Sequence, residues 1–127
     1  MAVTRATRTL TKPTPGFYLL RIVPRGWQVP ASIRRVGDLI TGDVDGEPLG
    51  KLWSEQMIEE EAAEAIVNGA LFDHPLLRIS LFGETCSETK YHHRAAIKVW
   101  AKEHAPWHPC LSPRRLIDPA LLPAEDF

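Results

Sequence analysis

Four of the five histidines and both cysteines of the chain fall between Cys86 and Cys110. Cys86, His92, His93, His104, His108 and Cys110 thus form the one stretch with metal-ligand chemistry, and thiolates with imidazoles suit zinc. Their spacing argues against a site. His104 and His108 are separated as zinc-finger histidines are, but Pro106 interrupts them and the chain has no C-x-x-C pair. His93 and His104 share a helix face yet lie about 16 Å apart along it, too far to hold one ion. Only His104 with His108 and Cys110 could converge, at a helix end. The expectation is no bound metal, with His104 acting as a helix-end hydrogen-bonding group and Trp107 packing down the segment that follows. A thiol nucleophile activated by one of these histidines lacks an orienting third group and an oxyanion donor.

Two carboxylate sets carry other chemistry. Asp73, Glu88 and Lys90 follow the acidic, acidic, lysine order of metal-dependent nucleases, in which carboxylates hold Mg²⁺ and lysine polarises the phosphate. Glu88 and Lys90, however, fall in the first turn of a predicted helix, where acids are favoured by the helix dipole. Asp43, Asp45 and Glu47 could ligate Ca²⁺, but Asp45-Gly46 is better explained as a hairpin turn. The sequence has no phosphate-cradling glycine loop, no G-x-S-x-G and no H-E-x-x-H. The reading is a protein that is not an enzyme and takes no cofactor.

The chain has 127 residues, 44% hydrophobic and 24% charged, with 15 basic and 16 acidic side chains. That is room for one domain with a real core and no staple. No apolar run approaches the roughly 18 residues of a membrane span, and residues 1–16 lack the apolar stretch of a signal peptide. Two cysteines are too few for a disulfide scaffold, so the expected setting is a reducing cytoplasm.

Near-neutral net charge conceals a dipolar chain. From Met1 to Val36 stand Arg5, Arg8, Lys12, Arg21, Arg25, Arg34 and Arg35 with no acid; from Asp38 to Glu64 stand nine acids against Lys51. These charges either pair across neighbouring strands or offer an acidic face to a basic partner.

The elements follow from periodicity and punctuation. Phe17 to Val23 reads as a strand closing at Pro24-Arg25-Gly26. Trp27, Val29, Ala31 and Ile33 alternate with polar residues as a half-buried strand with Pro30 on its solvent side, which suits an edge. Leu39 to Val44 leads into Asp45-Gly46, and Glu47 to Leu52 returns. Ser54 caps a helix running to Asn68-Gly69, with Ile58, Ala62, Ala65 and Ile66 inward and Glu59, Glu60, Glu61 and Glu64 outward. Leu77, Ile79 and Leu81 alternate, predicting a strand over Leu76 to Phe82. A second helix spans Ser87 to His104, with His93, Ala96, Ile97, Trp100 and His104 as its apolar face. Five prolines from Pro106 to Pro123 then preclude long regular structure, yet Trp107, Leu111, Leu116, Ile117, Leu121, Leu122 and Phe127 make that tail apolar enough to pack on the domain or a partner.

The predicted fold is therefore α+β: a small antiparallel sheet packed by two helices, with a basic arm over 1–14, one domain over 15–104 and a proline-rich tail over 105–127. Trp27, Ile33, Ile58, Ile66, Ile79, Ile97 and Trp100 are its predicted core.

PGFYLLRIVPRGWQVPASI from Pro15 to Ile33, DVDGEPLGKLW from Asp43 to Trp53 and KVWAKEHAPWHP from Lys98 to Pro109 together resemble small proteins encoded by phages and prophages of proteobacteria. Roughly half of the chain carries the resemblance; Glu55 to Tyr91 departs from the pattern. It implies the α+β architecture and a phage origin, and brings no catalytic residue with it. Small phage proteins without evident chemistry often block a host machine, which is an inference from setting. The functional expectation is a non-enzymatic accessory protein that binds a host protein or protein–nucleic-acid complex, as an inhibitor of a CRISPR-type or other nucleic-acid-directed defence complex. Its binding face would be Glu55, Glu59, Glu60, Glu61 and Glu64. The alternative is a small DNA-binding regulator using a basic aromatic hairpin, Arg21, Arg25, Trp27, Arg34 and Arg35, with Tyr18.

Overall fold

The structure, a computed structural model, describes residues 13–69 and 73–114. Most of the predicted basic arm and residues 115–127 of the tail lie outside the described residues.

Five antiparallel strands form one sheet in the order β4-β3-β2-β1-β5. They are β1 (Gly16–Arg21), β2 (Gln28–Val36), β3 (Leu39–Val44), β4 (Glu47–Pro48) and β5 (Glu84–Cys86). Three helices complete an α+β fold: α1 (Glu55–Val67), α2 (Pro75–Phe82) and α3 (Glu88–His104), followed by a 3-10 turn over Pro109–Leu111. Sequence punctuation sets these boundaries. Asp45 and Gly46 both take positive φ, 55° and 84°, as a type I′ turn requires. Ser54 and Ser87 each accept a hydrogen bond from the third residue beyond, Met57 and Lys90, both at 3.1 Å.

Successive strand residues point to opposite faces, so a run of buried residues means that both faces are covered. Tyr18, Leu19 and Leu20 are all buried, as is every residue from Val29 to Ile33. The middle of the sheet is therefore enclosed on both sides; α2 and α3 each pack on β1 and β2, and Ile58 and Ala62 bring α1 into the same core. The sheet edges are short. β4 has two residues, one of them Pro48, and β5 has three.

Four expectations change. Leu76 to Phe82 is helix α2 rather than a strand: Pro75 opens it at the first helical position, and Leu76, Leu77 and Ile79 are its buried face. Eight apolar-rich residues fit either period, and β5 comes after them instead. Pro30 is buried in the central strand β2, not on a solvent edge. Its carbonyl accepts from Asp45 N at 2.8 Å, so its nitrogen also faces the end of β3, where Lys98 Nζ takes the Asp45 carbonyl at 3.2 Å. The one ladder bond that the ring cannot donate is thus replaced by the Lys98 ammonium.

Trp27, Ile33, Ile58 and Ile79 are buried as expected, and Ile97 is half-buried. Ile66 and Trp100 are 50% and 51% exposed. Trp100 is out because α3 turns a different side inward: Arg94 and Ala101 are its buried residues, flanked by Tyr91 and Lys98. That inward side is polar but partnered. The Arg94 guanidinium lies 4.5 Å from the centre of the Trp27 ring, Tyr91 bonds Asp43, and Lys98 pairs with Asp45 at 3.0 Å.

Candidate protein-binding surface

Ser54 fixes the start of α1, and Ile58 and Ala62 fix its rotation by entering the core. The carboxylates then divide by position. Glu55 is held by Arg35 at 3.1 Å. Glu61 is half-buried and bonds Lys51 at 3.2 Å and the Nε2 of buried His74 at 3.0 Å. Burial alone would raise its pKa, but the hydrogen bonds and charge of His74 and Lys51 outweigh that and hold it below the usual carboxylate range. Glu61 is thus a tie between α1 and the segment before α2, not an outward group.

Glu59, Glu60 and Glu64 remain exposed, and among the described residues none of them forms an ion pair. Gln56 donates to Glu60 at 3.1 Å across one helical turn, which orients that carboxylate without neutralising it. Ile66 and Val67, 50% and 85% exposed, continue the face at the helix C-terminus. The result is an acidic patch with an apolar end.

The basic hairpin is differently disposed. Arg25, Arg34 and Arg35 are exposed, Arg35 being the partner of Glu55, while the Arg21 guanidinium donates to the Gly26 carbonyl. Trp27 and Tyr18 are 2% and 4% exposed. Buried this far, neither ring offers a face for base stacking, and Trp27 is further occupied by Arg94 and by the His108 ring, 4.9 Å between centres.

A polar network missed in the sequence lies beside Arg34. Ser32 donates to Asp43 at 2.9 Å, and the Tyr91 hydroxyl donates to the same carboxylate at 2.8 and 3.0 Å. Phe17 leans on Tyr91 with ring centres 4.9 Å apart. The available signal was the spacing of Tyr91, Arg94, Lys98 and Ala101 at i, i+3, i+7 and i+10, one continuous helix side. Burial first, then the bond to Asp43 and its charge, push Tyr91 up to about 12, and burial also raises Tyr18. Alkaline titration at 295 nm is therefore expected to show little tyrosinate near pH 10 in the folded chain, and Asp43→Asn to move Tyr91 downward. The native state holds these protons more tightly than the unfolded chain does, so their stabilisation is complete below about pH 10. It fades as pH rises toward about 12. Ordinary titration of both phenols in the native state would contradict the network.

The other candidates are dispersed. Cys86 is half-buried at the end of β5 and Cys110 is buried in the 3-10 turn; burial raises both thiols. His108 Nδ1 accepts from Cys110 N at 3.1 Å, and His104 Nδ1 donates to the Trp100 carbonyl at 3.1 Å, the helix-end bond expected of it. Trp107 is 76% exposed; over the described residues 105–114 it is the neighbouring His108, against Trp27, and buried Cys110 that pack on the domain. His92 lies 3.5 Å from Glu88 on the surface, and His93 is exposed. Asp73, Glu88, Lys90 and Glu47 are all exposed, while Asp43 and Asp45 are engaged by Tyr91 and Lys98. Among the described residues no three His, Cys, Asp or Glu side chains are grouped to hold a metal ion. No described helix is long and apolar enough to cross a membrane. No protein-family model, curated protein or solved structure matches the chain.

Proposed function

We propose that this chain acts by binding rather than catalysis, and that the outward face of α1 docks on a basic surface of a host protein. The carrying observation is the division of the α1 carboxylates: Glu55 and Glu61 serve the fold, while Glu59, Glu60 and Glu64 stand exposed without a cation among the described residues. Like charges so close together repel one another in the isolated chain, and a cationic partner relieves that repulsion. The resemblance to phage and prophage proteins favours a partner whose basic groove ordinarily holds nucleic acid, with the helix occupying that groove as an inhibitor. The regulator reading is weaker, since its two rings are buried.

Double reversal Glu60→Lys/Glu64→Lys is expected to leave folding intact and to remove the captured partner from a host-lysate pull-down, with wild-type capture falling as salt rises. A gel shift supplies the second arm: wild-type chain is expected not to retard duplex DNA by itself. Unchanged capture by the reversed chain, or salt-sensitive DNA binding by the wild type, overturns the proposal.

A further inference from the structure

A cleft of about 460 Å³ opens between β1, the turn after it, α2 and β5. That volume lies inside the range of small-molecule sites, about 300–1,000 Å³. Leu19, Ile22, Pro24 and Phe82 supply apolar walls; Leu19 is buried, and Phe82 is 55% exposed at the rim. Four charged residues, Arg21, Arg78, Asp73 and Glu84, also line it. No two of the four come within ion-pair distance of each other.

The two cations are oriented before any ligand arrives. Arg21 donates to the Gly26 carbonyl and Arg78 to the Ile22 carbonyl, so both guanidinium groups are tethered to the two ends of one short turn with further N–H groups to spare. Glu84 accepts from Gln28 at 3.1 Å, and strand register sets Leu19 opposite Glu84 and Arg21 opposite Gln28. Opposite charges separated over an apolar floor do not suit a simple acid, which two carboxylates would repel, or a simple amine, which two guanidinium groups would repel. They suit a ligand with both signs and an apolar body.

We propose that this cleft binds a small zwitterion of the class of a free hydrophobic amino acid, independently of the docking face on α1. The ligand carboxylate meets Arg21 and Arg78, its ammonium faces Asp73 and Glu84, and its side chain lies on Leu19, Ile22 and Phe82. Amide chemical-shift titration of the full chain tests this with three probes: L-phenylalanine, 3-phenylpropionate without the amine, and 2-phenylethylamine without the acid. L-Phenylalanine is expected to shift amides over 19–24 and 78–84 saturably, with a Kd of about 1 mM or tighter. Each single-charge probe is expected to bind about tenfold more weakly, the scale of losing one charge-assisted contact. Asp73→Asn alters an exposed residue and is expected to weaken L-phenylalanine and 2-phenylethylamine but not 3-phenylpropionate, whereas Arg78→Met weakens L-phenylalanine and 3-phenylpropionate but not 2-phenylethylamine. Absence of saturable shifts in the cleft overturns the proposal. So does binding of either single-charge probe as tight as that of the amino acid.

Discussion

Replacing Trp27 with alanine is expected to lower the unfolding free energy by about 3–5 kcal/mol. That is a large share of the roughly 5–15 kcal/mol available to a domain. The ring is 2% exposed, and residues of α3 and of the segment after it pack on it. Its face carries the Arg94 guanidinium of α3 at 4.5 Å, and the His108 ring packs on it nearly perpendicular, at 82° with centres 4.9 Å apart, just before the buried Cys110. Removing it opens a cavity and also takes away the π-face that helps compensate the desolvation of Arg94, which is 8% exposed. Urea unfolding at 25 °C measures the loss, and Trp27→Phe is expected to recover part of it. A double-mutant cycle with Arg94→Met separates the ring's volume from its cation contact. A cost below about 1 kcal/mol would mean that α3 is seated elsewhere.

A single added methyl group at Gly42 is expected to do comparable damage, about 3 kcal/mol or more. Gly42 stands opposite Ile33 in the β2–β3 ladder, and a Cβ there would meet the Ser32 carbonyl oxygen at 2.1 Å. Both partners are main chain in the enclosed part of the sheet, so neither can rotate aside. Relief requires prising β3 from β2, which also disturbs Asp43 and its bonds to Ser32 and Tyr91. Gly42→Ala is therefore expected to lower the urea midpoint sharply and to shift Tyr91 resonances together with those of β3. A variant as stable as wild type would show that the strands separate at that point without cost.

Much of the architecture was legible from the chain. Asp45-Gly46 has a conformation that few dipeptides tolerate, and Ser54 and Ser87 satisfy amides that every helix start leaves open, so local chemistry alone placed these boundaries. The α1 register was also readable, with Ile58 inside and Glu60 and Glu64 outside. The failures share one cause, namely partners supplied from distant sequence. On α3 hydropathy points to Trp100, whereas the helix buries Arg94 and leans on Tyr91 and Lys98 because Trp27, Asp43 and Asp45 are there to receive them. Pro30 looked like an edge residue because its compensating bond comes from Lys98, 68 positions away. Within the acidic set, Glu59 and Glu61 flank the Ile58–Ala62 stripe on opposite sides, and nothing in the helix itself separates them; His74 and Lys51 do.

The stunted rims of the sheet bear on how any partner must recognise this protein. Many binding domains accept a ligand as one more strand, so that main-chain hydrogen bonds supply affinity whatever the ligand's sequence. Here β4 offers two residues, one of them a proline without an N–H, and β5 offers three, while Ile40 exchanges backbone bonds with Trp53 at 2.7 and 2.8 Å. Neither rim is long enough to template a guest strand. On the docking face proposed for α1, recognition would then fall to side chains, which can be exchanged one at a time without disturbing the ladder, so that the same scaffold could follow a changing partner by point substitution alone.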